Sequence, residues 1–154
     1  MAISEHIRRL REHIGSEVLL LPTVAVLPRD EAGRILLVKH AQTGLWATIG
    51  GYMEIDESPR EAARREAEEE AGVVVQLGAI LDVLAGPDFR MTYPNGDETA
   101  CVSVVFEATV VGGKPTPDGD ETSDVQWFAS AELATTALGP FAHATFRTLG
   151  LLPS

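Results

Sequence analysis

The stretch from Gly51 to Val73 constrains the fold of this chain more than any other. It reads Gly-Tyr-Met-Glu-Ile-Asp-Glu-Ser-Pro-Arg-Glu-Ala-Ala-Arg-Arg-Glu-Ala-Glu-Glu-Glu-Ala-Gly-Val. A glycine loop leads into a helix with both ends marked. Ser58 stands at the N-cap, Pro59 at the first helical position and Glu61 where a capping box places its acid. Gly72 ends the helix in a left-handed conformation, and the residues between are strong helix formers. Ala63, Ala67 and Ala71 make a small-residue stripe at i, i+4 and i+8, able to approach a sheet closely.

Beside that stripe, Glu66, Glu69 and Glu70 fall at i, i+3 and i+4, so three carboxylates crowd one face. Arg64 with Glu68, and Glu61 with Arg65, are expected to pair on solvated faces. Like charges at this spacing cost helix stability, so the trio either serves something positive or is a plain acidic solvent face. Converging carboxylate oxygens suit a hard cation such as Mg²⁺ or Mn²⁺.

The full spacing decides between these readings. Gly51, Glu57, Arg65-Glu66, Ala67, Glu69-Glu70, Gly72 and Val73 occupy nine defined positions, and the pattern resembles the Nudix box. The chain is therefore identified as resembling the Nudix hydrolase superfamily. The resemblance implies an α/β/α sandwich with a mixed β-sheet. It also implies a divalent-metal-dependent hydrolase of nucleoside diphosphates linked to another moiety. On this basis Glu66, Glu69 and Glu70 bind Mg²⁺, and Glu66 or Glu69 shares the base role. Arg65 orients a carboxylate, and Glu57 supports the loop or reaches a second metal through water. The backbone carbonyl of Gly50 is a further metal ligand in the family. The entry to the box departs from its commonest form, with Thr48 and Ile49 standing where many relatives have Leu-Pro. Glu121, six residues before Trp127, resembles the extra acid that some relatives place opposite the box. It is otherwise an exposed loop acid.

The 154 residues suit one domain, 1–154, with enough apolar content (45%) for a core. A net charge of −11 repels phosphate backbones, which argues against stable nucleic-acid binding. Cys101 is the single cysteine, so no intrachain disulfide forms, and its apolar run suggests a buried thiol. No signal peptide or membrane-length apolar stretch is present, which predicts a cytoplasmic protein.

Along the chain, residues 2–14 read as an amphipathic helix with Ile3, Ile7, Leu10 and Ile14 on one line. That stripe packs on its own domain or forms a homodimer contact. Residues 18–27 and 34–40 read as a hairpin around Asp30–Gly33, with Pro22 interrupting the first strand. Val73 to Val83 gives one or two strands, and 90–97 a loop with an Asn-Gly-centred turn. Thr99 to Val111 alternates as a strand with one face more apolar. Residues 114–123 are an acidic loop, and Val125 to Phe128 a short strand. Ser130 caps a helix reaching about Leu138, and a last helix starts at Pro140. Trp46 and Tyr93 are candidate substrate-binding aromatics, although Trp46 equally suits the scaffold.

For substrate, Pro87 stands fourteen residues past Val73, near where ADP-ribose-hydrolysing relatives often carry a proline. The leading expectation is cleavage of ADP-ribose or a nucleotide sugar. A nucleoside-triphosphate pyrophosphohydrolase and a non-catalytic nucleotide sensor are the alternatives.

Overall fold

A computed structural model describes residues 3–153. The elements in order are α1 (Glu5–Ile14), β1 (Leu19–Pro28), β2 (Ile35–His40), β3 (Trp46–Ala47), β4 (Ile49–Tyr52) and α2 (Pro59–Ala71). They continue with β5 (Val73–Leu84), β6 (Arg90–Thr92), β7 (Glu98–Gly113), β8 (Thr122–Phe128) and α3 (Pro140–Thr148). The larger sheet has the order β4-β1-β7-β5, with β6 also on β7; the smaller has the order β3-β2-β8. Within the larger sheet, β1 and β7 pair in parallel, from Leu19↔Thr99 to Pro28↔Ala108, and the remaining described pairings are antiparallel, so the sheet is mixed.

Strand alternation builds two cores. Val24, Val26, Leu36, Val38 and Phe106 face the alanines of α2, and Ala62, Ala63, Ala67 and Ala71 are fully buried there. Ala25, Leu27, Ile35, Leu37 and Val105 face the other way, against Ala142 and Phe146 of α3. Helices thus cover both faces of the strands, giving the α/β/α layering expected. Double coverage also explains why β1 is buried without a break from Thr23 to Pro28. In β7, Val105 and Phe106 are buried on opposite faces, so neither side is the solvent side there.

The ends of α2 form as predicted. Ser58 Oγ accepts the Glu61 N–H at 3.1 Å, and Gly72 is left-handed at φ 68°, donating to Ala67 and Glu68 carbonyls. The expected Glu61–Arg65 pair gives way: Glu61 accepts from the Ser58 hydroxyl, and Arg65 turns to the box carboxylates.

Several local expectations are corrected. The hairpin at residues 18–40 opens at once: Arg29 bridges Ile35, after which β1 joins the larger sheet and β2 the smaller. Splitting there lets both strands bury both faces. Pro22 does not interrupt β1, because its hydrogen-bonding edge faces β4, where Met53 N–H donates to its carbonyl, and the ladder to β7 is intact. The turn after β6 centres on Pro94-Asn95, closed by Gly96 N–H to Tyr93 O, because proline presets the first central position. Arg90 to Thr92 are a strand on β7 rather than loop. Residues 130–135 form a 3-10 helix capped from Ala129, with Glu132 accepting the Ala129 N–H at 2.9 Å. The N-terminal helix starts at Glu5 with Ser4 as cap, and Ile7 packs on Tyr52 and Cys101 of the same chain. Burial pushes the Cys101 thiol up to about 11, in keeping with an inert core group.

Candidate active site

The box carboxylates take different positions although they share one helix face. Glu70 is 2% exposed and Glu66 8% exposed, both turned towards β4, whereas the Glu69 side chain is exposed. Glu70 accepts the Gly50 N–H at 2.7 Å. Burial, then the nearby Glu66 charge, pushes the Glu70 carboxyl up to about 8. Burial likewise raises Glu66 to about 7, against the opposing pull of Arg65. Two acids whose charged forms are disfavoured by their own fold are poised to accept a cation.

Arg65 organises the rest. Its Nε and Nη2 donate to both oxygens of Glu57, at 2.7 and 2.9 Å. Its Nη1 reaches Glu66 at 2.9 Å and Glu69 at 3.2 Å, and Nη2 also meets the Tyr52 carbonyl at 3.1 Å. This bidentate fork holds the Glu57 carboxyl below the usual range, chiefly through its hydrogen bonds. Among the described residues, no group of three or more His, Cys, Asp or Glu side chains forms a ready metal cage. Arg65 Nη1 instead engages one carboxylate oxygen of Glu66 and one of Glu69. The donor set is nonetheless all oxygen, which is the chemistry of a hard divalent cation.

The two glycines before the helix are required by packing. A Cβ on Gly50 would lie 2.1 Å from the Val24 carbonyl oxygen, and one on Gly51 would lie 2.3 Å from Glu66 Oε1. Gly50 therefore lets β4 close on β1, and Gly51 makes room for a box carboxylate.

Glu66, Glu69, Arg65 and Glu121 line one cleft of about 200 Å³, together with Tyr52, Glu54, Ile3 and Ser4. The Glu121 carbonyl accepts the Ala41 N–H at 2.9 Å, which fixes the chain just before β8 opposite the box. The acid placed there by sequence resemblance thus reaches the carboxylate cleft. Nothing in the sequence pointed to Ile3 and Ser4, which arrive from far along the chain. A second cavity of about 90 Å³ lies behind Gly50 and Gly51, with His40, Thr48, Met91 and Phe141 in its wall. Burial lowers the His40 pKa, favouring its neutral form.

The two aromatic candidates lie outside both linings. Trp46 packs edge-on against Phe128, with ring centres 4.7 Å apart, under the Lys39 ammonium. Tyr93 shares a hydrogen bond with the Tyr52 hydroxyl and sits beside the α1 cluster. Pro87 opens a short 3-10 turn after Gly86.

Comparison with known proteins agrees with this geometry. The model of the NUDIX domain matches residues 19–149. A putative 8-oxo-dGTP diphosphatase of Bacillus subtilis is 34% identical over 108 residues, covering 70% of this chain and 66% of that protein. An ADP-ribose pyrophosphatase of Methanocaldococcus jannaschii is 31% identical over 131 residues, covering 81% and 72%. Among solved structures, a MutT NUDIX hydrolase from Burkholderia pseudomallei superposes with a TM-score of 0.67 at 26% identity, covering 88% of this chain and 99% of that one. The chain belongs to the Nudix hydrolase family, a class of pyrophosphohydrolase enzymes. The matches span about two thirds of the length of those two curated relatives. No helix among the described residues is long and apolar enough to cross a membrane.

Proposed function

We propose that this chain hydrolyses the pyrophosphate bond of a nucleoside diphosphate linked to another moiety, with ADP-ribose or a nucleotide sugar as substrate. The observation that carries the reading is the pair of buried, charge-disfavoured carboxylates Glu66 and Glu70 beside an arginine that holds Glu57 and Glu69. The archaeal relative named an ADP-ribose pyrophosphatase supports the substrate class. Glu66, Glu69, Glu70, Glu121 and the Gly50 carbonyl are the residues to hold Mg²⁺, with Mn²⁺ as substitute.

A bound divalent cation would supply charge neutralisation on the phosphates and a lowered pKa for attacking water. The chain does the rest. Arg65 fixes Glu57 and the Tyr52 carbonyl, so that the loop and helix keep one geometry. Glu69 touches Arg65 through Oε2, leaving Oε1 to take a proton from water. Glu66, raised to about 7 by burial in the metal-free protein, is the other carboxylate that shares that role once ionised. The small cavity behind the glycines suits part of the organic moiety.

The second reading is hydrolysis of a modified nucleoside triphosphate, favoured by the Bacillus relative's name. Product analysis with Mg²⁺ and with EDTA separates the two. Two monophosphate-bearing products identify the first, and inorganic pyrophosphate the second. A folded protein that turns over neither class in Mg²⁺ would overturn both.

A further inference from the structure

A second hollow adjoins the carboxylate cleft. It has a volume of about 400 Å³ and lies between α1 and the loop before α2, lined by His6 and Arg9 on one side and by Met53, Glu54 and Ile55 on the other. Ser4 and Glu54 border both the hollow and the cleft, so a molecule held at the carboxylates can extend past them. Helical spacing puts His6 and Arg9 on one edge of α1, at i and i+3, beside the line that carries the buried Ile7. The acids of α1 lie off that edge and are already matched. Glu5 and Glu12 stand at i−4 and i+3 from Arg9, within pairing reach, but Arg8 takes both. Arg9 is exposed and makes no ion pair or side-chain hydrogen bond among the described residues. Arg65, the cation inside the cleft, is by contrast spent on Glu57, Glu66 and Glu69.

We propose that this hollow binds an anionic group on the sugar end of the substrate, a carboxylate or a phosphate ester, through the Arg9 guanidinium with His6 beside it. This assignment rests on the nucleotide-sugar reading above and narrows that class to conjugates of acidic sugars. Charge selects the anion. The protein carries a net −11, so an extra negative group on a substrate is repelled unless an unmatched cation receives it. A guanidinium fork matches carboxylate and phosphate oxygens in pairs, and Arg9 has its donors unspent. Among the described residues, the wall has no Phe, Tyr or Trp for a base to stack on, which leaves the hollow to the sugar. Glu54, the acid on the shared wall, can accept from sugar hydroxyls but repels an anion placed against it, so the anion goes to the α1 side. That side is anchored. Arg11 donates to the Glu98 carbonyl at 2.6 Å, and Ile7 packs on Tyr52, so α1 presents Arg9 from a fixed base.

The test is calorimetric titration of the full chain in Mg²⁺ with two probes built on one sugar, glucose 1-phosphate and glucose 1,6-bisphosphate. The first supplies only the phosphate that cleavage leaves on the sugar, and the second adds an anion at the far side of the ring. The wild type is expected to bind the bisphosphate about 5–10-fold more tightly, the range of one partly exposed charged hydrogen bond. Arg9→Gln should abolish that preference. Arg64→Gln, which removes the same charge from an exposed position on α2, should keep it. Neither side chain is buried, so both variants should fold, which circular dichroism and thermal melting check. Turnover of UDP-glucuronate against UDP-glucose, whose sugars differ by one acid group, reads the carboxylate separately. A kcat/KM about 5-fold higher for the glucuronate, lost in Arg9→Gln, supports the carboxylate as ligand. Equal binding of the two sugar phosphates by the wild type, binding of neither, or a preference that survives Arg9→Gln overturns the proposal. Failure to cleave any nucleotide sugar while the Arg9-dependent preference holds would instead overturn the reading of the reaction.

Discussion

Replacing Glu70 by glutamine should stabilise the metal-free protein while removing its activity. The fold displaces this carboxyl from 4.5 to about 8, so keeping it charged near pH 8 costs folding about 4 kcal/mol. Glutamine keeps an oxygen for the Gly50 N–H, and the shift to about 8 is already net of that hydrogen bond. The gain is therefore at most about 4 kcal/mol, or a melting temperature raised by up to roughly 8–16 °C for a chain of this size. The sign with pH follows from linkage. Because the native carboxyl binds its proton more tightly than the unfolded one, the metal-free wild type loses stability as pH rises from about 4.5 to about 8. Near pH 5 Glu70 is already protonated, so the advantage of glutamine should vanish. Differential scanning calorimetry of both proteins in EDTA at the two pH values measures this directly. A variant less stable than wild type near pH 8, or an equal shift at both pH values, would refute the reasoning.

Other outcomes follow from the same geometry. Mg²⁺ should raise the melting temperature more near pH 8 than near pH 6, with proton release on binding, because Glu66 and Glu70 must ionise first; calorimetry in buffers of different ionisation enthalpy checks it. Arg65→Lys should keep the fold but lower kcat about 10–100-fold, since lysine cannot reproduce the bidentate hold on Glu57; steady-state kinetics with a melting control reads it. Gly50→Ala should destabilise by about 1–3 kcal/mol, as its Cβ meets backbone oxygen that cannot yield. Gly51→Ala meets the movable Glu66 carboxylate instead, so activity should fall further than stability. Denaturant unfolding paired with activity assays separates those two glycines.

Helix α2 was legible in the sequence because its signals are local. Ser58, Pro59 and Gly72 act on backbone within one turn, and the alanine stripe needs only helical periodicity. The box spacing likewise gave the family and the acidic residues on one helix face, while Glu121 lay outside it and was suggested only by its distance from Trp127. What one helix face could not reveal was how differently its three glutamates are placed. Burial against β4 sets Glu70 and Glu66 apart from Glu69, and burial depends on the partner strand. The same limit explains the misread hairpin: β1 and β2 have strand patterns, but the choice of sheet is made by which faces find cover. Pro22 looked disruptive because the sequence does not say which strand edge a missing N–H will face. Sequence alone thus determined the chemistry on offer, through residue types at fixed local spacing. Only tertiary structure decided which carboxylates lose water and where Arg65 points, because each depends on neighbours distant in the chain.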